Sequence, residues 1–208
     1  MPRPIRFDHA DYVVVGHRSG APTTVYDITT PVLDGQYLLR PDESVGLILG
    51  VLGRAAARWS FDIYAFHVMS THWHLLAGFQ SLRQRARVMR FVNGEIARRI
   101  NRLRGRRGPL FERRYTAIQV LSDEHALDRL TYIMAQGTKA FVVGHPDDDP
   151  FACSTPHHLH GTPLRGTWHG GDGPVVYPVE ISPLPGLAHL SPAARQQTMR
   201  QLADDIAR

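Results

Sequence analysis

An α+β fold is predicted for this chain: a ferredoxin-like βαββαβ antiparallel sheet with one added C-terminal helix and an irregular Pro/Gly/His-rich tail. Three observations predict it. An apolar stripe recurs at helical spacing over 42–60, two apolar strands meet at a two-residue junction within 61–79, and an arginine-clad amphipathic segment over 82–105 runs into a further strand.

The elements follow in chain order. Residues 11–18, DYVVVGHR, are β-branched and aromatic and read as a strand, whereas 21–37, APTTVYDITTPVLDGQY, read as an irregular connection. Val45, Leu49, Leu52, Ala56 and Trp59 then recur at steps of three and four behind Asp42, Glu43 and Ser44, as in an amphipathic helix with an acidic first turn. FDIYAFHVM and HWHLLAGF are strands joined at Ser70-Thr71, short enough for an antiparallel hairpin. In the next segment Met89, Val92, Ile96, Ile100 and Leu103 form the apolar stripe, arginines occupy the other faces, and Gly105 and Gly108 end the helix. RRYTAIQVL, 113–121, alternates as a strand does, and Ser122-Asp123-Glu124 open a helix that reaches about Gln136.

The 208 residues are enough for one sizeable domain with an elaborated tail. Its body is assigned to 1–155 and the tail to 156–208, because the stretch after Phe141 is rich in Pro, Gly and His and carries no sustained period. The tail is expected to be an extended arm until Ser191-Pro192, an N-cap followed by proline at the first helical position, opens a short terminal helix. No apolar run approaches the roughly 20 residues that span a bilayer. The first residues lack the pattern of a secretory signal, and Cys153 is the sole cysteine, so a reducing, cytoplasmic setting is expected.

Charge is distributed unevenly. Residues 83–114 hold twelve arginines against Glu95 and Glu112, a net +10, which leaves −5 for the rest of a chain whose total is +5. A preference for Arg over Lys explains why Lys139 is the only lysine, but it does not explain clustering. The cluster points to a polyanion, with nucleic acid the leading partner and a merely solvated helix face the alternative.

Two pairs of residues carry chemistry. His72 and His74 are i and i+2 on a strand and project to one side, while Trp73 faces the other. Two imidazoles on one face suit a metal, although neighbouring histidines are often incidental; His67 on the partner strand is a further conceivable ligand or a core histidine. Tyr132 and Gln136 are four apart on the last helix and so share a face. Laid over the open face of the sheet, that helix would bring a carboxamide oxygen and a phenol to the histidines. The alternative is a tyrosine ring packed for structure alone.

These residues carry a resemblance. AFHVMSTHWHLL resembles the motif of the HUH single-tyrosine transposases, in which two histidines flank a hydrophobic residue. The stretch from Gly108 to Ser154 is similar to the REP-associated tyrosine transposases, through its aromatic-x-x-Arg entry to the last strand and through Tyr132, Ile133, Gln136, Lys139, Ala140 and Val143. The similarity covers about 10–155. Ser70-Thr71 stand where the family has Pro-Asn, and Gln136-Gly137 where this branch has Asn-Pro.

The resemblance implies a metal-dependent single-stranded DNA transesterase, which cleaves and rejoins hairpin-bearing DNA through a 5′-phosphotyrosine. Tyr132 would be the nucleophile. A divalent ion, Mg²⁺ or Mn²⁺, would be held by His72, His74 and Gln136, a mixed N/O set unlike the cysteine sets of structural zinc. Arg98, Arg102, Arg106, Arg113, Arg114 and Lys139 would grip phosphates. Two other readings stay open: a catalytically silent DNA-binding regulator, for which the altered dipeptides argue, and a nuclease that uses water. A monomer and a homodimer are both compatible with one such chain.

Overall fold

In a computed structural model, residues 12–171 and 173–208 are described. The first regular element is a two-residue strand, β1 (Val14–Val15), on the edge of β2 (Pro22–Pro31). Helix α1 (Ser44–Trp59) leads into β3 (Asp62–Met69) and β4 (His72–Phe79), and α2 (Leu82–Leu103) leads to β5 (Thr116–Gln119). The spatial order β5-β2-β4-β3 is antiparallel throughout, which is the split βαβ order the sequence predicts.

The first long strand lies elsewhere than expected. Most of the predicted strand 11–18 is loop, with Asp11 outside the described residues, and the stretch taken as a connection supplies β2, the centre of the sheet. Val25 and Ile28 are fully buried, on opposite faces, so PTTVYDITTP shows no clean apolar–polar alternation. Its prolines sit at the two ends, where a strand tolerates them.

The two faces of the sheet carry separate cores. Trp73 and the apolar stripes of α1 and α2 fill one, with Val88, Met89, Val92, Ile96 and Ile100 all buried. Trp73 is 1% exposed and donates its indole N–H to Asn93 of α2 at 3.2 Å. The opposite face takes α3 (Asp123–Met134), whose Ala126, Leu130 and Ile133 pack on Val25, Tyr64 and Leu76. A four-residue turn of helix, α4 (Gln136–Lys139), follows.

The tail is folded, in contrast to the extended arm expected over 156–190. It forms α5 (Thr155–His160), a hairpin of β6 (Leu164–Gly170) and β7 (Gly173–Val179), and α6 (Pro192–Ile206). The hairpin lies on α1 at backbone contact: a Cβ on Gly50 would stand 2.3 Å from the Thr167 carbonyl oxygen. Trp168 is clamped between the guanidinium groups of Arg54, 4.3 Å from the ring, and Arg99, 3.8 Å from it. Pro174 and Pro178 interrupt the strand signal of this stretch, and its docking rests on close glycine contact and on Trp168, Tyr177 and Val179, spread over two strands. The helix expected after Ser191 is present, with the Ser191 hydroxyl capping Ala194 N–H at 3.2 Å.

Candidate active site

Backbone register aligns four residues in a row across the sheet: His67 on β3, His74 on β4, Thr29 on β2 and Thr116 on β5. Directly paired residues share a face, so His67, His74 and Thr29 point together toward the α3 side, with His72 beside them. His74 is 4% exposed. Its Nδ1 is 3.1 Å from the Thr29 hydroxyl, and His72 Nδ1 is 3.0 Å from the Thr71 hydroxyl. Both δ nitrogens are thereby occupied, so ligation would fall to the ε nitrogens, of which that of His72 faces Gln136.

Helix α3 brings in the second pair. Ser122 caps it by accepting from His125 N–H at 3.1 Å, and it ends at Ala135, whose ψ of 2° departs from helical geometry. The Tyr132 ring meets His74 edge-on, with ring centres 5.5 Å apart. Gln136 donates its amide N–H to the Tyr132 carbonyl at 2.9 Å, which turns Oε1 toward His72 Nε2, 3.2 Å away. The structure thus brings together His72, His74, Tyr132 and Gln136, the four residues singled out from the sequence.

The electrostatics favour ligation. Burial, then the neighbouring His72 and His67 imidazoles and Arg129, push His74 down to about 3. Burial also lowers His72, against a smaller opposing contribution from its Gln136 hydrogen bond. Both imidazoles are therefore neutral at physiological pH, with lone pairs to donate. Two neutral imidazole nitrogens and one carboxamide oxygen, tied by hydroxyls and a backbone carbonyl, fit a divalent ion with open coordination positions.

Two cations stand over the Tyr132 ring. The Arg129 guanidinium is 4.4 Å and the Lys139 ammonium 4.3 Å from its ring centre. Arg129 is itself fixed by Asp27, a carboxylate 2.6 Å away and almost wholly buried. A groove of about 630 Å³ passes Tyr132, Arg129 and Lys139 and ends at Phe141, which is 95% exposed.

His67 does not join the histidine pair. It is buried, and its Nε2 contacts the Asp149 carboxylate at 2.7 Å. Its side chain, Asp149 and Cys153 form a compact group whose potential ligand atoms lie within 4.8 Å of one another, beside the main site. Asp149 also explains Gly137, since a Cβ there would stand 2.1 Å from Asp149 Oδ2. Where the resembling branch has proline after its carboxamide, this chain places a carboxylate.

The basic residues are dispersed. Arg98 is ion-paired with Glu95, and Arg106 is hydrogen-bonded to Asn101 and Gln36. Arg102, Arg113 and Arg114 are exposed, and Lys139 stands over Tyr132. Thr29, Asp27 and Arg129 were not singled out from the sequence. Asp27 offered a signal, a lone carboxylate inside VYDIT, but that stretch read as a connection.

Known proteins resemble this chain in sequence over part of its length and in fold. Residues 42–136 match the family model described as "Transposase IS200 like", a span that opens just before α1 and closes on Gln136. No curated protein matches the sequence. Among solved structures, a REP-associated tyrosine transposase bound to a REP hairpin is similar at a TM-score of 0.54 and 15% identity, over 75% of this chain and 87% of that one. A Deinococcus radiodurans protein assigned as a transposase is similar at 0.41 and 19%, over 64% of this chain and 97% of that one. The first of these likenesses is one of fold, and the family match spans the histidine pair, Tyr132 and Gln136: residues 42–136 carry the match to the IS200-like transposases.

Proposed function

We propose that this protein is a metal-dependent transesterase of single-stranded DNA, with Tyr132 as nucleophile and His72, His74 and Gln136 as the ligands of a divalent ion. One observation carries the reading: Tyr132 packs on His74 while the adjacent turn of the same helix delivers Gln136 Oε1 to His72. A tyrosine held only for packing would not require its helix to end in a carboxamide aimed at a histidine.

When bound, Mg²⁺ or Mn²⁺ supplies Lewis-acid polarisation of the scissile phosphate. The Tyr132 Oη–P bond forms as the P–O3′ bond breaks, the phenolic proton passes to solvent, and the departing oxygen takes up a proton from solvent to end as a 3′-hydroxyl. Phosphodiester energy is kept in the phosphotyrosine, so rejoining is the same step reversed, with a 3′-hydroxyl attacking phosphorus. A free phenol, with its ordinary pKa near 10, is a weak nucleophile at neutral pH. Arg129 and Lys139 both stand over the ring and present positive charge where the phosphate would arrive. The exposed arginines of α2 and of 113–114, with Lys139, would hold the DNA backbone, and a hairpin-bearing strand is the substrate that the hairpin-bound structural neighbour suggests.

The test is a denaturing gel of end-labelled, hairpin-bearing single strands incubated with Mn²⁺, with EDTA and with Tyr132→Phe. A metal-dependent, SDS-resistant adduct lost in the variant supports transesterification. Binding without adduct under every divalent ion supports a silent regulator, and cleavage that survives Tyr132→Phe supports attack by water.

A further inference from the structure

The outer edge of β3 is met by a short stretch of the chain after Asp149. Val68 donates its N–H to the Ala152 carbonyl and Ser154 donates its N–H to the Phe66 carbonyl, both at 2.9 Å, so His67 and Cys153 face each other as a non-hydrogen-bonded antiparallel pair. In such a pair the two side chains share a face and stand closer than in a hydrogen-bonded pair. Asp149 closes the group from the segment that follows α4: its Oδ2 is 2.7 Å from His67 Nε2 and fills the space that Gly137, lacking a side chain, leaves free. One nitrogen, one oxygen and one sulfur thus lie within 4.8 Å of one another.

The burial of these three groups sets the problem. His67 is 0% exposed, Cys153 4%, and the side chain of Asp149 1%. A carboxylate so placed needs positive charge or several donors. Asp149 has His67 and the Phe151 N–H, 2.9 Å from its Oδ1, and among the described residues no arginine or lysine is ion-paired with it. No hydrogen bond outside the group holds the imidazole, because His67 Nδ1 is buried without a partner. A hydrogen-bonded His–Asp pair uses two of the three side chains and gives the sulfur no part. A divalent cation uses all three, with a carboxylate and a thiolate to neutralise its charge and a neutral imidazole as the third ligand. Tetrahedral zinc places such donors roughly 3.3–3.6 Å apart, so the His67–Asp149 contact would open by about 0.6 Å.

We infer that His67, Asp149 and Cys153 form a second metal site, for Zn²⁺ or another borderline-soft divalent ion, separate from the His72, His74 and Gln136 set. As the sulfur–metal bond forms, the Cys153 thiol proton passes to solvent, and the His67–Asp149 hydrogen bond gives way to one metal bond from each residue, with a fourth position left for water. The thiolate sets the selectivity, since sulfur favours zinc over Mg²⁺ and Mn²⁺, whereas the N/O set of the first site suits the harder ions. The role is structural: the ion ties the segment of Asp149 and Cys153, and through Gly137 the turn that carries Gln136, to the edge of the sheet. The site stands apart from the reading of the chain as a transesterase, because it shares no ligand with the residues proposed for that reaction.

Cys153 is the sole cysteine, so a thiolate–metal signal reports on this site alone. The full chain, stripped of metal and kept in a thiol-free reductant, is titrated with Co²⁺ and followed by absorption. A thiolate-to-cobalt charge-transfer band in the near ultraviolet is expected to saturate at one Co²⁺ per chain, to bleach on addition of Zn²⁺, and to be absent in Cys153→Ser. Asp149→Asn, which keeps an acceptor for His67 and removes the charge, is expected to weaken the Co²⁺ affinity of the band about 10-fold or more. The band is expected to persist when His72→Ala and His74→Ala are combined. Absence of the band in folded wild type with Co²⁺ in excess overturns the site, as does unchanged affinity in Asp149→Asn. A band lost in the double-histidine variant while its circular dichroism is unchanged also overturns it, by assigning Cys153 to the first site. No arm uses DNA, so failure here leaves the transesterase reading untouched.

Discussion

His72 and Gln136, sixty-four positions apart, meet through Nε2 and Oε1 at 3.2 Å. That contact joins the hairpin to the helix carrying Tyr132, and in the proposed reading it sets a carboxamide oxygen beside the two strand histidines as a third ligand. The quality of the site then depends on what holds each donor.

For His74 the holder is Thr29, whose hydroxyl occupies Nδ1. Thr29→Val keeps the shape and removes the hydroxyl. Mn²⁺ affinity, followed by electron paramagnetic resonance, is expected to fall about 10- to 100-fold with unchanged circular dichroism. Unchanged affinity would show that burial alone orients the ring.

Asp27 and Arg129 form a pair in which the carboxylate is buried and the guanidinium reaches Tyr132. Arg129→Met strands the carboxylate and is expected to cost about 3 kcal/mol in urea unfolding. Adding Asp27→Asn should restore much of that loss while adduct formation stays weak, because the cation beside Tyr132 is still missing. A double variant no more stable than Arg129→Met would refute the pairing argument.

Gly137→Ala places a methyl against Asp149 Oδ2. Thermal unfolding should show a loss of about 1–3 kcal/mol, relieved when Asp149→Ala is combined with it. Additive losses in the double variant would mean that the two positions do not compete for space.

Cys153 tests the packing of the segment beside β3. Burial first, then Asp149, push its thiol up to about 11. Its folded value lies above the unfolded one, so its contribution to stability is complete below about pH 9 and is lost as pH rises through about 11. At pH 8 the native chain should resist iodoacetamide and react only in denaturant, measured by intact mass. Rapid alkylation of the native protein would contradict the burial.

The sequence disclosed most where one face of an element is apolar and the other is not. The α1 and α2 stripes and the Ser70-Thr71 junction are of that kind, and the elements they mark lie within a residue or two of expectation. β2 was hidden because both its faces are buried, and the loss of β2 hid Thr29 and Asp27 with it. The β6–β7 hairpin was hidden because its docking depends on Gly50 meeting Thr167, a contact no local pattern encodes. The nearness of the four candidate residues was legible because strand and helix periods fix which side chains share a face. Their supports come from other elements and become visible only in three dimensions.

The central claim is that Tyr132 becomes joined to DNA. After reaction with a hairpin-bearing single strand and Mn²⁺, nuclease digestion and tryptic mapping by mass spectrometry will locate any attached nucleotide. The account predicts a 5′-linked phosphonucleotide on the peptide containing Tyr132, absent with EDTA. Cut DNA with that peptide unmodified, or a nucleotide carried by another residue, would contradict it.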